Sequence, residues 1–311
     1  MGTRSTTRPR ATAPAAPKNQ RPTSQGPAGL WPGNTRMVVL LTFLMENWSE
    51  GVAPPYSPMT SPPKPGTVDR AGVQWSSYAG RAGIARLIRV SRKHGMRGTV
   101  CINARSAELF PDTVRHIVAS DFEIAGHNYA QDEVLSGLDE PAERAIIQRS
   151  LDILERVGGV RPTGWLSSTL ATTERTADLL AAEGMRWHGD YNYLDLPCLV
   201  KTRKGTMAAI PHSDYADNRV LRGAPDDWLR CHRDLFDFLY RDEPGSVLNI
   251  TMHGNFGGRP LMAAMLDQLL SHITAHRDIW VARHDELADH VFARRMKEVS
   301  YLERFGTDGA P

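Results

Sequence analysis

Cysteine is scarce: Cys101, Cys198 and Cys231 are the three in 311 residues, and no CxxC pair occurs. An odd number leaves one thiol over in any disulfide scheme. The simplest reading is buried thiols in a reducing, cytoplasmic compartment and no disulfide-built scaffold. Long apolar runs are missing too. None reaches the roughly 18 residues of a membrane span, and no secretory apolar segment is recognised, so no membrane partner is expected. Charge of one sign is also lacking. A net charge of +2 is too balanced to suggest nucleic acid as a partner.

The remaining composition, 41% hydrophobic and 23% charged, suits an ordinary globule with room for one large α/β domain. The charge is unevenly spread. Arg4, Arg8, Arg10, Lys18, Arg21 and Arg36 fall in residues 1–36 with no acid among them. That stretch is rich in Pro, Ala, Thr, Ser and Gly and buries too little surface to offset its ordering entropy. It is expected to be a disordered basic tail, with one domain over 37–311. Met1, Gly2 and Thr6 fit the myristoylation pattern, but a start placed too early explains them more simply.

From Met37 onward strands and helices alternate. Val38–Leu44 is a continuous apolar run, as in a strand covered on both faces. Residues 51–66 hold six prolines and read as a long irregular loop, a candidate lid. Helices are expected over 82–94, 141–158, 174–182, 225–240 and 260–275, and from 284 onward. Strands are expected over 98–103, 122–126, 186–188, 198–201, 207–210, 246–252 and 279–283. About seven such units predict a parallel sheet curled into a distorted (β/α) barrel, with the chemistry at the carboxyl ends of its strands.

The polar clusters fall just after predicted strands. Glu46 and Glu50 follow the first; two carboxylates there can hold a metal or act as a base. His127 follows another, with Gln131 four residues on and Asp132 beside it. Imidazole is a good transition-metal ligand and an amide oxygen a poorer one. The opposite reading, a histidine that only hydrogen-bonds substrate, stays open. Arg161, in Arg161-Pro162-Thr163-Gly164-Trp165, has the fork to clamp a carboxylate. The loops 188–197, with Asp190, and 211–218, with Tyr215, mix aromatics and acids and suit a small polar ring. His253 ends a strand before a glycine-rich turn, well placed to give a proton to a leaving group. That turn lacks the spacing of a phosphate loop.

Five pieces, in order over about residues 37–292, resemble the polysaccharide deacetylase superfamily, nearest its allantoinase and cyclic-imide hydrolase branch. They are Tyr78–Gly83, Glu123–His127, Arg161–Trp165, His253–Pro260 and Ile279–Arg283. The resemblance implies a distorted β/α barrel, hydrolysis of a C–N amide bond, and assembly as a dimer or tetramer. Metal-using members bind zinc with an aspartate and the two histidines of an HxxxH motif. Here His127 matches the first histidine, Gln131 stands at the second, and the paired aspartates after the first strand are absent.

The expectation is a cyclic amidohydrolase that opens a small imide or hydantoin-like ring. Glu46, His127 and Gln131 would hold a divalent metal, zinc foremost, with metal-independent hydrolysis as the variant. Glu50 would be the base and His253 the acid. Arg161, Trp165, Asp190 and Tyr215 would bind substrate. Two rivals are an N-deacetylase of an amino sugar or small acetamide, and a non-catalytic binding module on the same barrel.

Overall fold

The computed structural model describes residues 29–59, 64, 66–213 and 215–306. Nine strands form one sheet: β1 Met37–Met45, β2 Thr99–Ile102, β3 Glu123–Gly126, β4 Gly164–Trp165, β5 Trp187–His188, β6 Cys198–Thr202, β7 Gly205–Ala209, β8 Val247–His253 and β9 Ile279–Ala282. The order is β6-β7-β5-β4-β3-β2-β1-β8, with β9 also on β1. Every pairing is parallel except the β6–β7 hairpin. The sheet is thus mixed, and it curls into an incomplete barrel with helices outside. β1 is its axis: all nine residues are buried, which explains the unbroken apolar run.

Helix boundaries follow local chemistry. Asp139 caps the helix Glu140–Gly158 by accepting from the Ala142 amide, and Gly159 ends it at φ 73°. Pro225 and Pro260 open the helices Pro225–Asp242 and Pro260–Ile273, where a missing N–H costs nothing. Close backbone approach fixes one further point. A Cβ on Gly83 would collide with the Gly254 carbonyl, so only glycine lets the first long helix brace the turn after His253.

Two expectations fail here. Residues 1–28 of the expected tail lie outside the described residues, but 29–36 are not loose. Trp31 is buried against Trp280 and His290, so the packed chain begins ahead of Met37. Helices Ala104–Leu109 and Pro111–Ala119 were also not expected, because each is too short to display a clear apolar period.

Below the barrel mouth the interior is polar. Glu123 is buried and accepts hydrogen bonds from Trp187 Nε1 (2.7 Å), Thr99 Oγ1 (2.7 Å) and the Asp285 amide (3.0 Å). Those donors favour the carboxylate. Burial and the neighbouring Asp285 charge outweigh them and push the Glu123 carboxyl up to about 8. A raised acid binds its proton in the folded state where the unfolded chain has released it. Stability therefore falls as pH rises from about 4.5 to about 8. Glu123→Gln mimics the neutral form and should remove that slope. Denaturant melts at pH 5 and pH 9 should show the balance moving in the variant's favour by on the order of 3 kcal/mol. Parallel pH dependences would refute the assignment.

Candidate active site

β1 and β8 are neighbours in register, Leu44 opposite His253. Their carboxyl ends therefore deliver Glu46 and His253 to one place, and β3 delivers His127 beside them. Glu46 Oε1 lies 3.6 Å from His127 Nε2 and 3.7 Å from His253 Nε2. All three side chains are buried. They line a cavity of about 410 Å³ together with Tyr56, Gln131 and Arg219.

Each ring is held from behind. His127 Nδ1 donates to the Leu166 carbonyl at 2.6 Å; a carbonyl only accepts, so Nδ1 carries a hydrogen. His127 Nε2 is buried and has no hydrogen-bond partner among the described residues. His253 Nδ1 donates to Asp217 Oδ1 at 2.6 Å, and the His253 amide donates to Asp217 Oδ2 at 2.9 Å. The aspartate thereby fixes both the ring and its strand end.

Burial alone would lower the His253 pKa. Asp217, and then Glu46, outweigh it and raise it to about 9. Burial alone would raise the Glu46 carboxyl; His253, then His127 and Tyr56, bring it below the ordinary carboxylate value. The site at neutral pH is thus a carboxylate facing an imidazolium. The Tyr56 hydroxyl donates to Glu46 Oε2 at 2.9 Å, and Tyr56 stacks edge-on against Trp48 and Trp75. Burial and the Glu46 charge push its phenol far up, so it remains a donor.

Three donors at the cavity could face a divalent ion. His127 Nε2 is an orphaned lone pair aimed into the cavity, and Glu46 supplies an anion beside it. Gln131 Oε1 is a weaker third donor that already accepts from Ser168 Oγ at 2.9 Å. Among the described residues no three His, Cys, Asp or Glu side chains, Glu46, His127 and His253 included, are arranged to hold a metal ion by themselves. The set fits a loosely held divalent ion rather than the closed four-ligand site of structural zinc.

The structure brings together Glu46, His127, Gln131 and His253, and separates the other expected residues from them. Glu50 is exposed and off the cavity, because the chain turns outward after Trp48; it cannot serve as the base. Arg161 precedes β4 and so sits at the opposite end of the barrel, paired with Asp152, Glu155 and Glu183. Trp165 points outward, packed under Ile147, Leu151 and Leu179, as the alternation of a strand requires. Tyr215 stacks on His232 and does not line the cavity. Asp190 binds His188 (2.6 Å) and the Ser167 amide (2.8 Å); it supports the wall without touching the cavity. Asp132 accepts from the Ser49 amide.

Known proteins resemble this chain in sequence and in fold. The family model described as polysaccharide deacetylase matches residues 75–188. A peptidoglycan deacetylase of Helicobacter pylori is 21% identical over 257 residues, covering 71% of this chain and 87% of that protein. The crystal structure titled Puue allantoinase superposes with TM-score 0.77 and 27% identity, covering 88% of this chain and 97% of that one. A Pseudomonas aeruginosa PAO1 protein named a "probable polysaccharide deacetylase" superposes with TM-score 0.77 and 26% identity, covering 87% and 97%.

Residues 75–188 match the polysaccharide deacetylase family, and the chain is similar over most of its length to proteins of that superfamily.

Two residues of the site carry no signal in the sequence. Asp217 sat unmarked in the 211–218 loop, where nothing distinguishes it from its acidic neighbour at 214. Tyr56 is the one tyrosine of the proline-rich loop, and no spacing ties it to Glu46.

Proposed function

We propose that this protein hydrolyses a C–N amide bond in a small cyclic substrate, an imide or hydantoin-like ring. One observation carries the reading: a buried carboxylate and a buried imidazolium stand 3.7 Å apart on the wall of a cavity that Tyr56 also lines. A cavity of about 410 Å³ has room for a small ring. The likeness to the structure titled Puue allantoinase supports the same choice.

A ring carbonyl seated in the cavity over Glu46 and His253 receives water on its carbon. Glu46 takes the proton of that water, being the one acid that lines the cavity among the described residues. His253, held cationic by Asp217, gives its proton to the departing ring nitrogen. The pair then stands as neutral acid and neutral imidazole, and one proton passing from Glu46 to His253 restores it. Tyr56 holds Glu46 in orientation. A second carbonyl on the leaving nitrogen of an imide delocalises its charge, so a site with weak metal donors suffices for it. Beside Glu46, His127 and Gln131 would hold a divalent ion, which when bound polarises the carbonyl.

The second reading, N-deacetylation of an amino sugar, is favoured by the relatives named peptidoglycan and polysaccharide deacetylases. Succinimide, maleimide and allantoin should be assayed against N-acetylglucosamine oligomers, before and after chelation and with divalent ions restored. Ring opening that falls with chelator and recovers with metal is expected, and His127→Ala should abolish the recovery. Release of acetate without ring opening would favour the second reading. The three cysteines are free, which suits a reducing compartment. No described helix is long and apolar enough to cross a membrane. Assembly as a dimer or tetramer, read by light scattering, completes the reading.

A further inference from the structure

β3, β4 and β5 lie side by side in the sheet. At their carboxyl ends, side chains take over from the main-chain ladder. The last ladder bonds run from the Leu166 amide to the Gly126 carbonyl (3.0 Å) and from the Gly189 amide to the Trp165 carbonyl (2.9 Å). The next peptide unit, between Leu166 and Ser167, is gripped at both poles. On the β3 side its carbonyl accepts from His127 Nδ1 at 2.6 Å. On the β5 side its N–H donates to Asp190 Oδ1 at 2.8 Å. The other oxygen of Asp190 accepts from His188 Nε2 at 2.6 Å.

Water does not weaken this chain of bonds. His127, Leu166 and Ser167 are buried, and the side chains of His188 and Asp190 are each only 5% exposed. Burial alone would raise the Asp190 carboxyl; His188, then the Ser167 amide, bring it below the ordinary carboxylate value. A carboxylate therefore stands against the N–H pole of a peptide whose carbonyl pole holds the ring. Charge at one end of a hydrogen-bonded chain polarises it and strengthens the bond at the other end. Here the far end is His127 Nδ1–H. A stronger bond there keeps the hydrogen on Nδ1 and the lone pair on Nε2, the orphaned atom at the cavity.

The other histidine of the site is treated differently. Asp217 touches His253 directly and holds it as a cation, and a cationic ring has no lone pair to offer. Asp190 reaches His127 Nδ1 through an uncharged peptide, which orients the ring and feeds it electron density without a carboxylate on that nitrogen.

We propose that Asp190 is a positioning residue for His127, acting through the Leu166–Ser167 peptide to fix the tautomer that offers Nε2 to a divalent ion. This rests on the reading of His127 as an ion ligand given above, and not on whether a ring or a sugar amide is cut.

The test needs no turnover. Nitrogen–proton correlation spectra of the imidazole rings are recorded on the chelator-treated protein, with the His127 signals identified by their absence from His127→Ala. Zinc affinity is measured beside them by calorimetry. In the wild type the His127 proton should reside on Nδ1, with the downfield resonance of a short hydrogen bond. Asp190→Asn removes the charge and keeps an oxygen for the Ser167 amide. In this variant the Nδ1–H resonance should move upfield, the Ser167 amide should stay protected from hydrogen exchange, and zinc should bind about 10-fold more weakly. An unchanged resonance and affinity in the folded variant overturns the proposal. So does loss of Ser167 protection together with the tautomer, because Asp190 would then only prop the loop. If the variant does not fold, the wild-type spectrum decides: a proton on Nε2 overturns the proposal, and downfield Nδ1–H and Ser167 N–H resonances support it. A wild type that binds no zinc overturns the ion-ligand reading, and the spectra still judge the hold of Asp190 on the ring.

Discussion

His253→Ala is expected to cut ring-opening turnover by about 10²–10⁴-fold, with the Michaelis constant changed only a few-fold. The imidazole is the one group in the cavity that is both buried and held cationic, with a pKa of about 9. Without it the leaving nitrogen departs as an anion beside the Glu46 carboxylate, where a second negative charge is costly. Substrate contacts from the remaining walls persist, so binding survives. The variant also leaves Asp217 buried without its partner, so its melting temperature must be measured beside its kinetics. An imide, whose nitrogen leaves more readily, should lose less than an unactivated ring amide. Equal turnover in variant and wild type would remove His253 from the mechanism.

Asp217→Asn is expected to move the alkaline limb of the pH–rate profile downward by about 1–3 units. The sign follows from the charges. His253 is the acid while protonated, so activity is lost as pH rises through about 9. Asparagine retains one hydrogen bond to His253 and removes the carboxylate charge, leaving Glu46 alone to oppose burial. The imidazole then releases its proton at lower pH. Stability follows the same linkage. A raised histidine stabilises fully below about 6.5, and that contribution disappears as pH rises to about 9. Breaking this buried pair costs about 3–5 kcal/mol at neutral pH, which a denaturant melt would register. An alkaline limb that stays near 9 in a folded variant would sink the Asp217–His253 assignment.

Local pattern was enough for much of the fold. The unbroken apolar run of β1, the proline that opens Pro225–Asp242 and the glycine that ends Glu140–Gly158 all act over a few residues. Their effects are therefore visible in the order of the chain. The β6–β7 hairpin was not legible as antiparallel, because period-two alternation carries no direction. The short helices between β2 and β3 escaped for want of length.

The site divides in the same way. Glu46, His127 and His253 were readable because the carboxyl end of a strand is a place in sequence as well as in space. Arg161 and Trp165 stood in an equally suggestive motif, yet one lies at the wrong end of the barrel and the other faces the wrong side of its strand. Glu50 lies only four residues from Glu46, but the turn after Trp48 sends it into solvent.

The amino-acid order by itself determined the class of barrel, the strand ends that carry chemistry, and the loss of a histidine at position 131. Those are properties of spacing and residue type. Only the tertiary structure decided that Asp217 backs His253, that Tyr56 caps Glu46, and that the barrel stays open along β8. Each depends on segments far apart in sequence being held within hydrogen-bond reach, and charge and hydrogen bonding act through space, where chain order leaves no trace.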